Sequence, residues 1–168
     1  DGAIEISADA TGLPKDADNL KLRLVLAEAN VPFSASNGIR RHEMLVRAMP
    51  GTPGGVAAAD GKASIKTTLK LSDFKQKLVD YLAGYEEQQN VSFKDKPLAL
   101  DKLVLVAFVQ NDSTREVLQS AKAPVTGEIQ FGPEKAPKVP DEKPKPEEPQ
   151  PEKPTEEKPA TEKPADSK

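Results

Sequence analysis

Apolar side chains recur at every second position through much of this chain, and that spacing narrows the choice of fold more than any other feature. Ile4, Ile6 and Ala8 alternate with Glu5, Ser7 and Asp9, and Leu20, Leu22, Leu24 and Leu26 lie on one face of the next strand with Lys21 and Arg23 opposite. Ile65, Thr67, Leu69 and Leu71 alternate with Ser64, Lys66, Thr68 and Lys70, and Val125, Ile129 and Phe131 with Thr126, Glu128 and Gln130. Successive side chains of a strand point to opposite faces, so this pattern predicts strands with one dry and one wet face, as in antiparallel sheets. Leu103–Val109 is apolar on both faces and predicts a central strand covered on both sides, with Asn111-Asp112-Ser113 turning the chain into a partner over Glu116–Ala121. Asp60-Gly61 predicts a second hairpin, joining Val56–Ala59 to the Ile65 strand.

One segment follows a different period. Ser72 is a suitable N-cap, Asp73 suits a first turn, and Phe74, Leu78, Tyr81, Leu82 and Tyr85 share a helical face. A helix is expected over residues 73–88, with that stripe laid on the sheets as core. About seven short strands with one inserted helix predict a mainly β protein, an immunoglobulin-like β-sandwich, with a small α+β sheet as the alternative.

The fold is expected to end near Phe131, giving a sandwich domain over residues 1–131 and a tail over 132–168. The tail is Pro, Glu and Lys with almost nothing apolar and no aromatic residue. Such a segment has too little apolar surface to offset the entropy of ordering, so a disordered tail is expected. Its prolines favour polyproline II, which at about 3.1 Å per residue would let it reach roughly 110 Å. A spacer arm is the functional reading of that composition, and a solubilising end is the plain one.

Composition excludes several classes of chemistry. The net charge of −3 comes from interspersed signs, and no basic stripe or aromatic ladder points to nucleic acid. There is no cysteine, hence no disulfide, thiol nucleophile or redox CxxC within these residues. No apolar run approaches the length of a membrane helix, so no membrane span is expected. A chain that opens on Asp1 without methionine or an apolar leader is expected to be a mature form, a processed product or an excised piece.

The candidate site is the polar cluster Asn37, Arg40, Arg41, His42 and Arg47, which holds the single histidine. Read as a strand, it puts His42, Met44, Val46 and Ala48 on one face, and Glu43, Leu45 and Arg47 on the other. His42 with Glu43, Asp60 or Asp112 is the weaker, hydrolytic alternative, because sequence neighbours on a strand diverge and no triad or metal-ligand spacing is present. The expectation is a binding cluster, with no catalytic residue, no metal and no cofactor. The Met49–Gly55 loop is a second candidate for recognition. Gly55–Ala63 is not a phosphate loop, since the glycine spacing is wrong and Ala63 stands where Ser or Thr is required. Asn90-Val91-Ser92 and Asn111-Asp112-Ser113 match the glycosylation sequon formally.

Two stretches carry a family resemblance: Asn37–Arg40 with His42 and Leu45–Gly51, and Leu103–Asp112 with Thr114 and Glu116–Gln119. Together they resemble the β-sandwich that follows a thioredoxin-like domain in some secreted bacterial proteins, and a similar module at the end of certain outer-membrane-type surface lipoproteins. The resemblance covers most of Ile4–Phe131. It implies a non-catalytic binding or assembly module, exported to the periplasm or cell surface. Its partner would be another protein, an envelope component or an adjacent thioredoxin-like domain, and no thiol–disulfide activity carries over. A purely structural spacer domain is the remaining reading.

Overall fold

A computed structural model describes residues 2–15, 18–129 and 131. Among these the fold is mainly β, with seven strands in two antiparallel sheets and one helix. The strands are β1 (Ala3–Ala10), β2 (Leu20–Pro32), β3 (Arg41–Ala48), β4 (Val56–Ala57), β5 (Ala63–Lys70), β6 (Leu103–Asn111) and β7 (Val117–Pro124), and the helix α1 (Leu71–Gln89) follows β5 directly. The tail expected over 132–168 lies outside the described residues.

The smaller sheet is β1 paired with β5. In the larger one the order is β3-β2-β6-β7, and β4 pairs the first part of β2 on the same side as β3. The period-two residues explain why the sheets close on each other. Ile6 and Ala10 of β1, Ala63 and Ile65 of β5, Leu20, Leu22 and Leu24 of β2 and Val109 of β6 form one buried cluster between the two inner faces. Glu5, Ser7, Ser64 and Lys66 on the outer faces are exposed. Removing apolar area from water drives this closure at about 25 cal/mol per Å².

A second cluster forms under the helix, where Leu71 and Phe74 pack with Leu26, Leu100 and Leu103. The helix starts without the expected cap: Lys70 is the N-cap residue, with no side-chain cap bond, and Ser72 lies inside the helix. The start is held instead by the Leu71 N–H, which donates to the Gly2 carbonyl at 3.0 Å. The far end closes with Asn90 in the left-handed region (φ 49), and the Asn90 and Val91 N–H groups return to carbonyls of the last turn. This C-terminal closure satisfies acceptors that the helix leaves open.

Four expectations are corrected. The Asp60-Gly61 turn is present, with Ala59 and Lys62 bridged across it, but Val56–Ala57 pairs β2 rather than the Ile65 strand. Gly55 makes that pairing possible: at φ 81 it runs so close to β2 that a Cβ would lie 2.9 Å from Arg23 Cγ and 3.0 Å from the Leu22 carbonyl. Val125, Ile129 and Phe131 do not lie in a strand, and pack as an irregular segment against the cluster beneath α1. β6 is central as expected, yet only Leu103 and Val109 are buried; the residues between are half-buried on both faces. The helical stripe is core only in part, for Phe74 is buried while Tyr81 is 68% exposed and Tyr85 is 43% exposed.

Candidate functional site

The partly bare side of α1 faces the edge strand β3, and between them opens a groove of about 630 Å³. Leu45 and Val46 line it from β3, and Leu78, Tyr81 and Leu82 from α1. Phe33, just after β2, and Phe93, in the segment that returns from α1 to β6, line the groove as well. The aromatic rings are mutually packed. Phe93 lies edge-on to Phe33 at 5.7 Å and stacks on Tyr85 at 6.0 Å, and Phe33 in turn meets the His42 ring at 6.0 Å. Edge and offset contacts of this kind suit the ring quadrupoles.

The segment bearing Phe93 is held by carboxylates at both ends. Glu86 Oε1 accepts from the Phe93 N–H at 2.7 Å, and its Oε2 meets Lys96 Nζ at 2.9 Å. The Phe93 N–H, and then Lys96, hold the Glu86 carboxyl below its usual pKa. At the other end Glu28, fully buried in β2, receives the Leu100 N–H on Oε1 at 2.9 Å. Its Oε2 accepts from Arg47 Nε at 2.9 Å and Nη2 at 2.6 Å. The same Nη2 also donates to the Pro97 carbonyl. One buried ion pair thus ties β2, β3 and the 97–100 segment together along the groove.

Each residue of the expected cluster can now be placed. Arg47 is the groove-lining cation already committed to Glu28, with its side chain 7% exposed. His42 is half-buried, its Nε2 3.2 Å from the Phe33 carbonyl oxygen. Asn37 shapes the β2–β3 hairpin tip, its Oδ1 accepting from the Ile39 N–H at 3.1 Å. Arg40 and Arg41 stand exposed beside that tip, and neither has an ion-pair partner among the described residues. Lys77 of α1, at the groove margin, is exposed and likewise without an ion-pair partner among the described residues.

The expected faces of β3 are corrected as well. Met44 sits at φ 52, in the left-handed region that a non-glycine residue rarely occupies in a strand. The register with β2 also slips between Val46 and Ala48, and His42, Leu45, Val46 and Arg47 all line one groove instead of dividing between two faces. Met44 is itself 41% exposed.

Other candidates lie elsewhere. Asp112 is bound by Lys21 at 2.8 Å and Arg23 at 2.6 Å, and these two hydrogen-bonded cations hold its carboxyl below its usual pKa. Neither Asp112, Asp60 nor Glu43 is hydrogen-bonded to His42. None of the Met49–Gly55 loop lines the groove; the Gly54 carbonyl accepts from Arg23 instead. Among the described residues no group of three His, Cys, Asp or Glu side chains could hold a metal, and no helix is long and apolar enough to cross a membrane.

The members of the site that sequence reading missed are Val46, Leu78, Tyr81 and Phe93 as a bare surface, and Lys77 at its margin. The helical stripe signalled two of them, Leu78 and Tyr81, but as core. Comparison with family models, with curated proteins and with solved structures found no match for this chain.

Proposed function

We propose that this chain is a non-catalytic binding or assembly module of an exported bacterial envelope protein, with a polyproline-II-like spacer arm after Phe131. The recognition surface is the groove between β3 and α1, together with the hairpin tip that carries Arg40 and Arg41. The observation behind this reading is an apolar groove at a sheet edge whose rim leaves large side chains bare: Tyr81 at 68% and Val46 at 57% exposed. Contiguous bare apolar surface of this kind marks interaction sites more often than scattered exposed residues do. Tyr and Arg, present in the lining as Tyr81 and Arg47, are residue types enriched at protein interfaces. The exported location rests on the family resemblance and on the composition of the tail, and fractionation of the producing cells tests it.

The binding reading is tested by selecting a displayed random-peptide library on the whole chain and, in parallel, on Val46→Lys/Tyr81→Lys. Both positions are exposed, so the variant should melt with the parent. Peptides recovered on the parent alone support a recognition groove; equal recovery on both, or none on either, rejects it.

A further inference from the structure

The groove's chemistry specifies its occupant more closely, and we infer that it receives an amphipathic helix whose apolar stripe is flanked by acidic residues. This deepens the binding reading above and rests on it. Charge is the first argument. Lys77 lines the groove without an ion-pair partner among the described residues and no Asp or Glu lines it, while Arg40 and Arg41 stand exposed on the hairpin tip that leads into His42, and Glu43 is the one carboxylate on β3. An apolar body with carboxylates beside it is complementary to such a rim, and opposed charges steer encounter and fix orientation.

Backbone geometry is the second argument. β3 is an edge strand, and an edge invites strand addition. The strand is irregular at two places, with Met44 at φ 52 and a register slip against β2 between Val46 and Ala48. An extended partner would lose pairing there, as at a bulge that blunts an edge. A helix satisfies its own backbone and needs only side-chain contacts, at i, i+3 and i+4 spacing, to fill a groove.

Two rival occupants fit less well. The chain's own residues beyond Gly132 are mostly Pro, Glu and Lys, and offer nothing apolar larger than Val139 to seat against Leu78 or Phe93. A second copy docking by two-fold symmetry would bring each patch against itself. Arg40, Arg41 and Lys77 would then face their own kind, and like charges across an interface are costly.

The test uses three synthetic peptides of about four helical turns, titrated against the whole chain by fluorescence anisotropy. One has a leucine stripe with Glu flanks, the second the same stripe with Lys flanks, and the third is the Glu peptide with a central proline. The Glu-flanked helix should bind at least about tenfold more tightly than either of the others, a difference of about 1.4 kcal/mol. Arg40→Glu/Arg41→Glu should reverse the charge preference, and added salt should weaken the preferred complex. Equal affinity of the Lys peptide overturns the acidic assignment, and equal affinity of the proline peptide overturns the helical one. If none of the three binds while library selection yields groove-dependent peptides, the helix inference alone fails. If selection fails too, the binding reading falls with it.

Discussion

Replacing Arg47 with methionine tests the internal logic of the site most directly. The side chain keeps much of its volume, so the change removes charge and hydrogen bonds more than packing. Glu28 would remain in β2 with 0% exposure, having lost both Arg47 donors and keeping the Leu100 N–H alone. The Pro97 carbonyl would lose its Arg47 donor as well. Removing one member of a buried pair leaves an uncompensated charge, and typically costs about 3–5 kcal/mol. For a domain of this size, with a total stability of about 5–15 kcal/mol, that is a large share.

Glu28→Leu/Arg47→Met separates the charge from the shape. It removes both ions and leaves an unpaired Leu100 N–H, a cost of about 1–3 kcal/mol. The double variant should therefore be more stable than Arg47→Met alone, because replacing a buried pair by apolar groups is often neutral or better. The assay is urea denaturation followed by far-ultraviolet circular dichroism, accepted where the slopes agree across variants. A loss below about 1 kcal/mol for Arg47→Met, the range of a solvated pair, would refute the reasoning. So would a double variant whose loss is the sum of the singles.

Further outcomes follow from other parts of the fold. Asp112 has a lowered pKa, so its pairing with Lys21 and Arg23 contributes stability above the unfolded-state value near about 3.9, lost as pH falls through the folded-state value. Asp112→Asn should lower the melting temperature at neutral pH and converge with the parent in acid; a constant gap down to low pH would contradict this. Gly55→Ala should cost about 1–3 kcal/mol by thermal melts, through its positive φ and the close approach to β2. Gly54→Ala, with open space around it, should stay within about 0.5 kcal/mol of the parent. Leu26→Ala, at a fully buried site joining β2 to the helix, should cost about 2–5 kcal/mol. Val106→Ala, on the half-buried middle of β6, should cost clearly less, and equal losses would mean β6 is covered on both faces after all.

The fold was largely legible because period two and burial coincide where one face of a sheet is wet. Of the residues expected on the dry faces of β1, β2 and β5, Ile6, Leu20, Leu22, Leu24, Leu26 and Ile65 are buried, and Ile4, Ala8, Thr67 and Leu69 are half-buried. The same signal misled at Val125, Ile129 and Phe131. Alternation reports that side chains share a face, whereas a strand also needs a ladder partner, and there only the Val125 N–H reaches a β6 carbonyl, that of Leu103. Helical spacing has the same character: it grouped Phe74, Leu78, Tyr81, Leu82 and Tyr85 correctly but could not say how far the sheet beneath them extends. β3 and the 90–102 segment stop short of the outer part of that stripe, and the uncovered remainder became the groove.

The site was harder to read, for a reason visible in its three arginines. Arg40, Arg41 and Arg47 are the same residue type within one short stretch, yet two stand in solvent and the third is sealed inside. What separates them is Glu28, placed on β2 by pairing with Leu45, and the return of the 97–100 segment across it. That fate is decided by groups distant in sequence, which composition and spacing cannot register. Met44 gives no local warning either, since its residue type does not favour a positive φ. A strained conformation in an exposed residue persists only where its surroundings hold it. Here the Arg47–Glu28 pair anchors one side of Met44, and the hairpin that places His42 beside Phe33 anchors the other. The buried pair therefore sets the shape of the surface without belonging to it, and the exposed cations are free to choose what binds because Arg47 is not.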